Sequence, residues 1–141
     1  GHLHLEGVSL EELADKLGTP TYVYSANQIE KNYLEYRDAF KEAGLDVQIE
    51  FAVKALPNLH VLRLLAGLGC GADVVSGGEL ARALEAGVTG RHISFAGVGK
   101  TSDELAQGLA AGVTFNVESE AEVELLAARA AAAQARARVA F

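Results

Sequence analysis

Three times in succession a largely apolar run ends in a Ser or Thr followed three residues later by Glu, and an Ala- and Leu-rich stretch comes next. The stretches are "ADVVSGGEL" with Ser76 and Glu79, "GKTSDEL" with Thr101 and Glu104, and "NVESEAEV" with Ser119 and Glu122. S/T-x-x-E is the capping box that satisfies orphan N–H groups at a helix start, so each run reads as strand, cap, helix. One such box is a weak signal. Three, at spacings of 25 and 18 residues (positions 76, 101 and 119) and in phase with strands, are what successive βα units of a parallel sheet require. The pattern leaves two architectures, an open doubly wound sheet or a closed (β/α)8 barrel. No G-x-G-x-x-G follows the first strand, which counts against the dinucleotide-binding form of the former.

The units extend in both directions. "VQIEFAVKA" reads as a strand and "NLHVLRLLAGLG" as the helix after it; "LARALEAG", "LAQGLAAG" and residues 120–134 are the later helices, and "ARVAF" begins another strand. Ahead of the repeat, "VSLEELADKLG" is a short helix boxed by Ser9 and Glu12 and stopped by Gly18. "TPTYVYS", aromatic and β-branched, reads as a strand. Ser25 and Gln28 then cap a long helix to about Ala43, ended by Gly44, with Ile29, Tyr33, Tyr36 and Phe40 on one side. The expected division is residues 1–25, an N-terminal helix and first strand, and residues 26–141, the N-terminal portion of a barrel. Four complete units and the start of a fifth strand make about half of the ~250 residues a barrel takes. With no Met anywhere and an end at Phe141 inside a strand, the chain is expected to be part of a longer one.

Charge and composition exclude several classes. Twelve Lys and Arg against 19 Asp and Glu give a net charge of -7 without a dense basic run, which argues against nucleic acid as a partner. Apolar stretches are broken well short of the ~20 residues a membrane span needs, and the N-terminus has no signal pattern, so a cytoplasmic protein is expected. The single cysteine, Cys70, excludes an internal disulfide and a cysteine-rich zinc site, and it reads as a small buried hydrophobe. His2, His4, His60 and His92 show no metal-ligand spacing, so no metal is assigned.

In a βα barrel the reactive groups sit where strands end and helices begin. Those ends carry Lys54, Asp73 with Ser76, Gly97 to Lys100, and Asn116 with Glu118. Lys54 is the unusual one, because "EFAVKAL" otherwise reads as a buried strand. A lysine among apolar neighbours has its charged form disfavoured, which brings a nucleophilic amine and Schiff-base chemistry within reach. The alternative is an edge lysine reaching to solvent. Asp73 pairs with Lys54 or with a cofactor cation, or is an ordinary turn-favouring residue. The same two readings apply to Asn116 and Glu118. Ser76, Glu79, Thr101, Glu104, Ser119 and Glu122 read as helix caps, and Lys100 as a solvated loop residue. "SGGE" and "GVGK" could face an anion, but the latter is too short for a Walker loop.

"FAVKALPNLHVLRLLAGLGCGADVVSGGELARALEAGV", "ISFAGVGKTSDEL" and "FNVESEAEVELL" closely resemble the N-terminal half of the diaminopimelate decarboxylase family, pyridoxal-phosphate enzymes of the alanine-racemase-like barrel class. "TPTYVYS" looks like that family's first strand, and the motifs keep their order and spacing over nearly the whole chain. The resemblance implies a partial TIM barrel, about its first half. It implies pyridoxal 5'-phosphate held covalently by the lysine of the A-V-K-A motif, here Lys54. Ala52 would lie by the cofactor, and Asp73 near the lysine and the ring. Leu56 stands where the family commonly has Asn, which removes a local polar contact. The implied reaction is decarboxylation of meso-2,6-diaminopimelate to L-lysine and carbon dioxide by a homodimer. The family's later strands, glycine-rich phosphate loop, second β-domain and its Cys and Tyr elements have no counterpart before Phe141. The 141 residues alone are therefore expected to be inactive.

Two other readings stand beside this one. A related decarboxylase would act on ornithine, arginine or carboxynorspermidine; "GADVVSGGEL" favours diaminopimelate over the ornithine enzymes. A non-catalytic half-barrel would bind the cofactor and release no carbon dioxide.

Overall fold

The structure, a computed structural model, describes residues 2–141. The chain divides into two compact units, Gly1–Leu45 and Asp46–Phe141. The first opens with a hairpin that the sequence reading did not foresee: β1 (His4–Leu5) pairs antiparallel with β2 (Val8–Ser9). Glu6 and Gly7 between them both have positive φ, 52° and 82°, the conformation of a tight two-residue hairpin turn. Helix α1 (Leu10–Leu17) follows, with the Ser9 hydroxyl accepting from the Glu12 amide and Gly18 at φ 82° closing it. Helix α2 (Ala26–Glu42) begins at Ser25 as expected. The Glu6 carboxylate also accepts from the Asn27 amide at 3.0 Å and from the Ser25 hydroxyl, placing negative charge on the positive end of α2.

"TPTYVYS" is not a strand. Residues 19–25 lie between α1 and α2 without a ladder partner, and Tyr22 is 88% exposed. Aromatic and β-branched residues favour a pleated, half-buried surface, but only a neighbouring strand supplies the hydrogen bonds. On α2 the expected stripe is half-buried at Ile29 and Tyr33 and exposed at Tyr36 and Phe40.

The second unit is the repeat. Five parallel strands, β3 (Glu50–Ala52), β4 (Gly71–Val74), β5 (Ile93–Phe95), β6 (Thr114–Asn116) and β7 (Arg138–Ala140), lie in the order β3-β4-β5-β6-β7. Helices α3 (Leu59–Gly67), α4 (Gly77–Glu85), α5 (Ser102–Ala111) and α6 (Glu120–Ala132) connect them. The order decides between the two architectures. A doubly wound sheet reverses direction at a switch point, whereas strands laid down strictly in sequence order form the arc of a barrel.

Alternation along each strand sorts the side chains. Ala72, Val74, Ile93, Phe95 and Phe115 are buried and pack with Leu62, Leu80, Leu105 and Leu126 of the helices. Phe95 and Phe115 stack at 6.0 Å between ring centroids. The alternate positions Glu50, Ala52, Asp73, Ser94, Thr114 and Asn116 are half-buried on the opposite face. Helix α5 can lie this close to the sheet because position 108 is Gly: a Cβ there would sit 2.6 Å from Cζ of Phe115.

All three boxes cap helices. The Ser76, Thr101 and Ser119 hydroxyls accept from the amides of Glu79, Glu104 and Glu122. Only Thr101 and Glu104 close the reciprocal box. Glu79 reaches the Val75 amide at 2.9 Å and Glu122 the Glu118 amide at 3.3 Å, in each case one residue upstream of the cap. Glu104 reaches further, accepting from the Gly77 amide at 2.7 Å, so the first turn of α5 also caps α4.

Candidate functional site

Strand β3 is shorter than "VQIEFAVKA" suggested. The ladder ends at Ala52, and Val53–Ala55 forms a single 3-10 turn closed by the Leu56 amide donating to the Val53 carbonyl at 3.1 Å. Val53 is fully buried in the core and anchors this turn, while Lys54 beside it is exposed. The expectation of a lysine enclosed by apolar neighbours therefore fails: a turn that buries Val53 sends the next side chain outward. What survives is its position at the C-terminal end of a barrel strand.

Ala52 and Asp73 are brought together directly. They are cross-strand partners in the β3–β4 register, and Asp73 is in turn the partner of Ser94 on β5. The row Ala52, Asp73, Ser94, Thr114, Arg138 crosses all five strands on the face away from the core. Ala52 is the small member of the row and leaves room on that face beside the carboxylate.

One position below, Glu50 shares the face. Burial raises its carboxyl above the ordinary 4.5; a hydrogen bond with Ser94 opposes this, the like charge of Asp73 adds to it, and His92 opposes it. Ser94 and Glu50 escaped the sequence reading. The signal was the period-2 alternation in "QIEFA" and "HISFA", which puts Glu50, Ala52 and Ser94 on the face opposite the apolar residues; the register that adds Asp73 to them is a tertiary fact.

The remaining strand-end candidates separate. Asn116 is half-buried at the end of β6 and Glu118 is exposed on the loop beyond it. Lys100 is not a solvated loop residue. Its side chain has 0% exposure, and its Nζ donates to Glu122 Oε1 at 2.6 Å, to the Asn116 carbonyl at 2.8 Å and to the Gly97 carbonyl at 2.9 Å. Loop position alone gave no hint of this, because Asn116 and Glu122 come from the following βα unit.

Comparison with known proteins gives one family match over residues 26–141, to the pyridoxal-binding domain of the pyridoxal-dependent decarboxylases. Diaminopimelate decarboxylase of Aquifex aeolicus is 50% identical over 127 residues, covering 89% of this chain and 29% of the relative. That of Pseudomonas aeruginosa is 51% identical over 125 residues, covering 88% and 30%. The crystal structure of Methanocaldococcus jannaschii diaminopimelate decarboxylase superposes with a TM-score of 0.96 at 44% identity, over 100% of this chain and 34% of that one. The same protein has been solved in complex with L-lysine. The chain thus spans about 30% of the length of the curated relatives it matches.

Proposed function

The chain belongs to the pyridoxal-dependent decarboxylases through their pyridoxal-binding domain, and from that premise we propose that it serves decarboxylation of meso-2,6-diaminopimelate to L-lysine, with Lys54 carrying pyridoxal 5'-phosphate. In the net reaction one carboxylate leaves as carbon dioxide and the carbon that bore it takes up a proton. Residues 26–141 are the proposed cofactor-binding portion, preceded by residues 1–25. The whole protein is proposed to work as a homodimer in the cytoplasm; no helix among the described residues is long and apolar enough to cross a membrane.

The residues present fit the cofactor. An exposed primary amine stands at the C-terminal end of β3, and Ala52 and Asp73, in direct register, offer a small surface and an anion on the face below it. When bound, pyridoxal phosphate supplies a conjugated sink for the electron pair left as carbon dioxide departs. Lys54 would hold the cofactor through its Nζ. Asp73 would present its carboxylate on β4 beside Ala52, its partner in register. Ala52 leaves the face open. The observation that carries the reading is this coincidence of Lys54, Ala52 and Asp73 at adjoining strand ends in a chain about half identical to diaminopimelate decarboxylases.

The test is borohydride reduction of the protein incubated with pyridoxal phosphate, followed by peptide mapping. The label is expected on Lys54 and absent from Lys54→Ala; a label on another lysine overturns the assignment. Carbon dioxide release by the whole protein from meso-2,6-diaminopimelate, against ornithine and arginine, tests the substrate. The 141 residues alone are expected to release none.

A further inference from the structure

We propose that Lys100 is a positioning residue for this site, acting through the main chain of Gly97 and Asn116; the inference rests on the assignment of the site to the C-terminal ends of the strands. An ammonium group has three N–H donors, and here all three are used within the fold, on two carbonyls and one carboxylate. Nζ also lies 5.9 Å from the centroid of the Phe95 ring, at the top of the core. The carbonyls belong to the loop after β5 and to the last residue of β6, and the carboxylate to the first turn of α6. One side chain therefore ties three consecutive pieces of the rim on which Lys54 stands.

The position argues for more than stability. A buried ion pair is a poor way to stabilise a fold, since apolar residues of similar volume serve as well or better. What it supplies is fixed geometry, because charge-assisted bonds of 2.6–2.9 Å hold the groups at set distances. Gly97 is held against the neighbouring strand end as well: at φ 97° its own Cβ, if present, would meet the Val75 carbonyl at 3.3 Å. Val75 in turn follows β4, the strand of Asp73. The tie thus runs from α6 through β6 and the β5 loop to the strand that carries the site's carboxylate. Glu122 completes it, with Oε1 on Lys100 and Oε2 on the Glu118 amide.

The experiment compares the whole protein with Lys100→Met and with Lys100→Met/Glu122→Gln, the second removing the tie without stranding a buried carboxylate. Two quantities are read: amide hydrogen exchange over residues 97–101 and 117–119, and the dissociation constant for pyridoxal phosphate. Exchange in both segments is expected to quicken, and cofactor affinity to fall, each by about tenfold or more, the scale of one charge-assisted hydrogen bond. Amides of Phe95 and Phe115 are expected to stay protected, which separates loosening of the rim from unfolding. Unchanged exchange overturns the proposal, and so does faster exchange with the dissociation constant within about twofold of the wild type. A wild-type protein that takes up no pyridoxal phosphate overturns the site itself, so the two failures are told apart by the wild type alone.

Discussion

Asp73 sits between Ala52 and Ser94 on one face of the sheet, and Glu50 lies one step below, so two carboxylates share a half-buried surface. The burial of Glu50 is the chief cause of its carboxyl standing above the ordinary 4.5, and the like charge of Asp73 adds to it against a hydrogen bond with Ser94. A raised native value means that stability held with Glu50 protonated is present below pH 4.5 and is lost as the pH rises through the native value. Glu50→Gln is therefore expected to raise the melting temperature at pH 7 and to change little below about pH 4. A variant equal to the wild type at both pH values would show that Ser94 and His92 compensate in full. At this scale the sequence marked Lys54 and Asp73 by residue type at a strand end. Of the two readings open for Lys54, the solvent-reaching one holds because Val53 takes the core, whereas Lys100, read as a solvated loop residue, is buried because Glu122 comes to meet it.

Helices α4, α5 and α6 start where their Ser or Thr caps put them, and this was legible because a cap is decided within four residues. Less local is what the third-residue glutamates do. Glu104 is held below the usual carboxylate range chiefly by the Gly77 amide of the neighbouring helix, then by the amide and hydroxyl of Thr101. A lowered native value adds stability that is present above pH 4.5 and lost as the pH falls through that lowered value. Glu104→Gln is expected to melt below the wild type at pH 7, with the gap closing in acid as the pH falls through the lowered native value. Thr101→Ala, which removes the cap itself, should cost about 1 kcal/mol in denaturant unfolding. A gap for Glu104→Gln that persists in acid would place its role in shape and leave its charge without one. "TPTYVYS" failed at this scale for the converse reason: a helix cap brings its own partners, and a strand does not.

The second unit presents an arc of parallel strands with β3 and β7 at its edges, and every residue of β7 is exposed. Exposed strand edges template association with other chains. The 141-residue chain is thus expected to self-associate with rising concentration in sedimentation experiments, and Val139→Lys on β7 to reduce it; a wild-type chain that stays monomeric overturns this. For the molecule as a whole, the sequence by itself determined the alternation of strand and helix, the starts of the capped helices and the residue types at the strand ends. Each of these is set by contacts within a few residues, where propensity, capping and periodicity act. Only the tertiary structure decided that the strands run in unbroken order as a barrel arc, that Ala52, Asp73 and Ser94 stand side by side, and that Lys100 is locked to Asn116 and Glu122. Those facts depend on register and on partners 16 to 22 residues away in the chain, and no local rule of backbone or side chain fixes such distances.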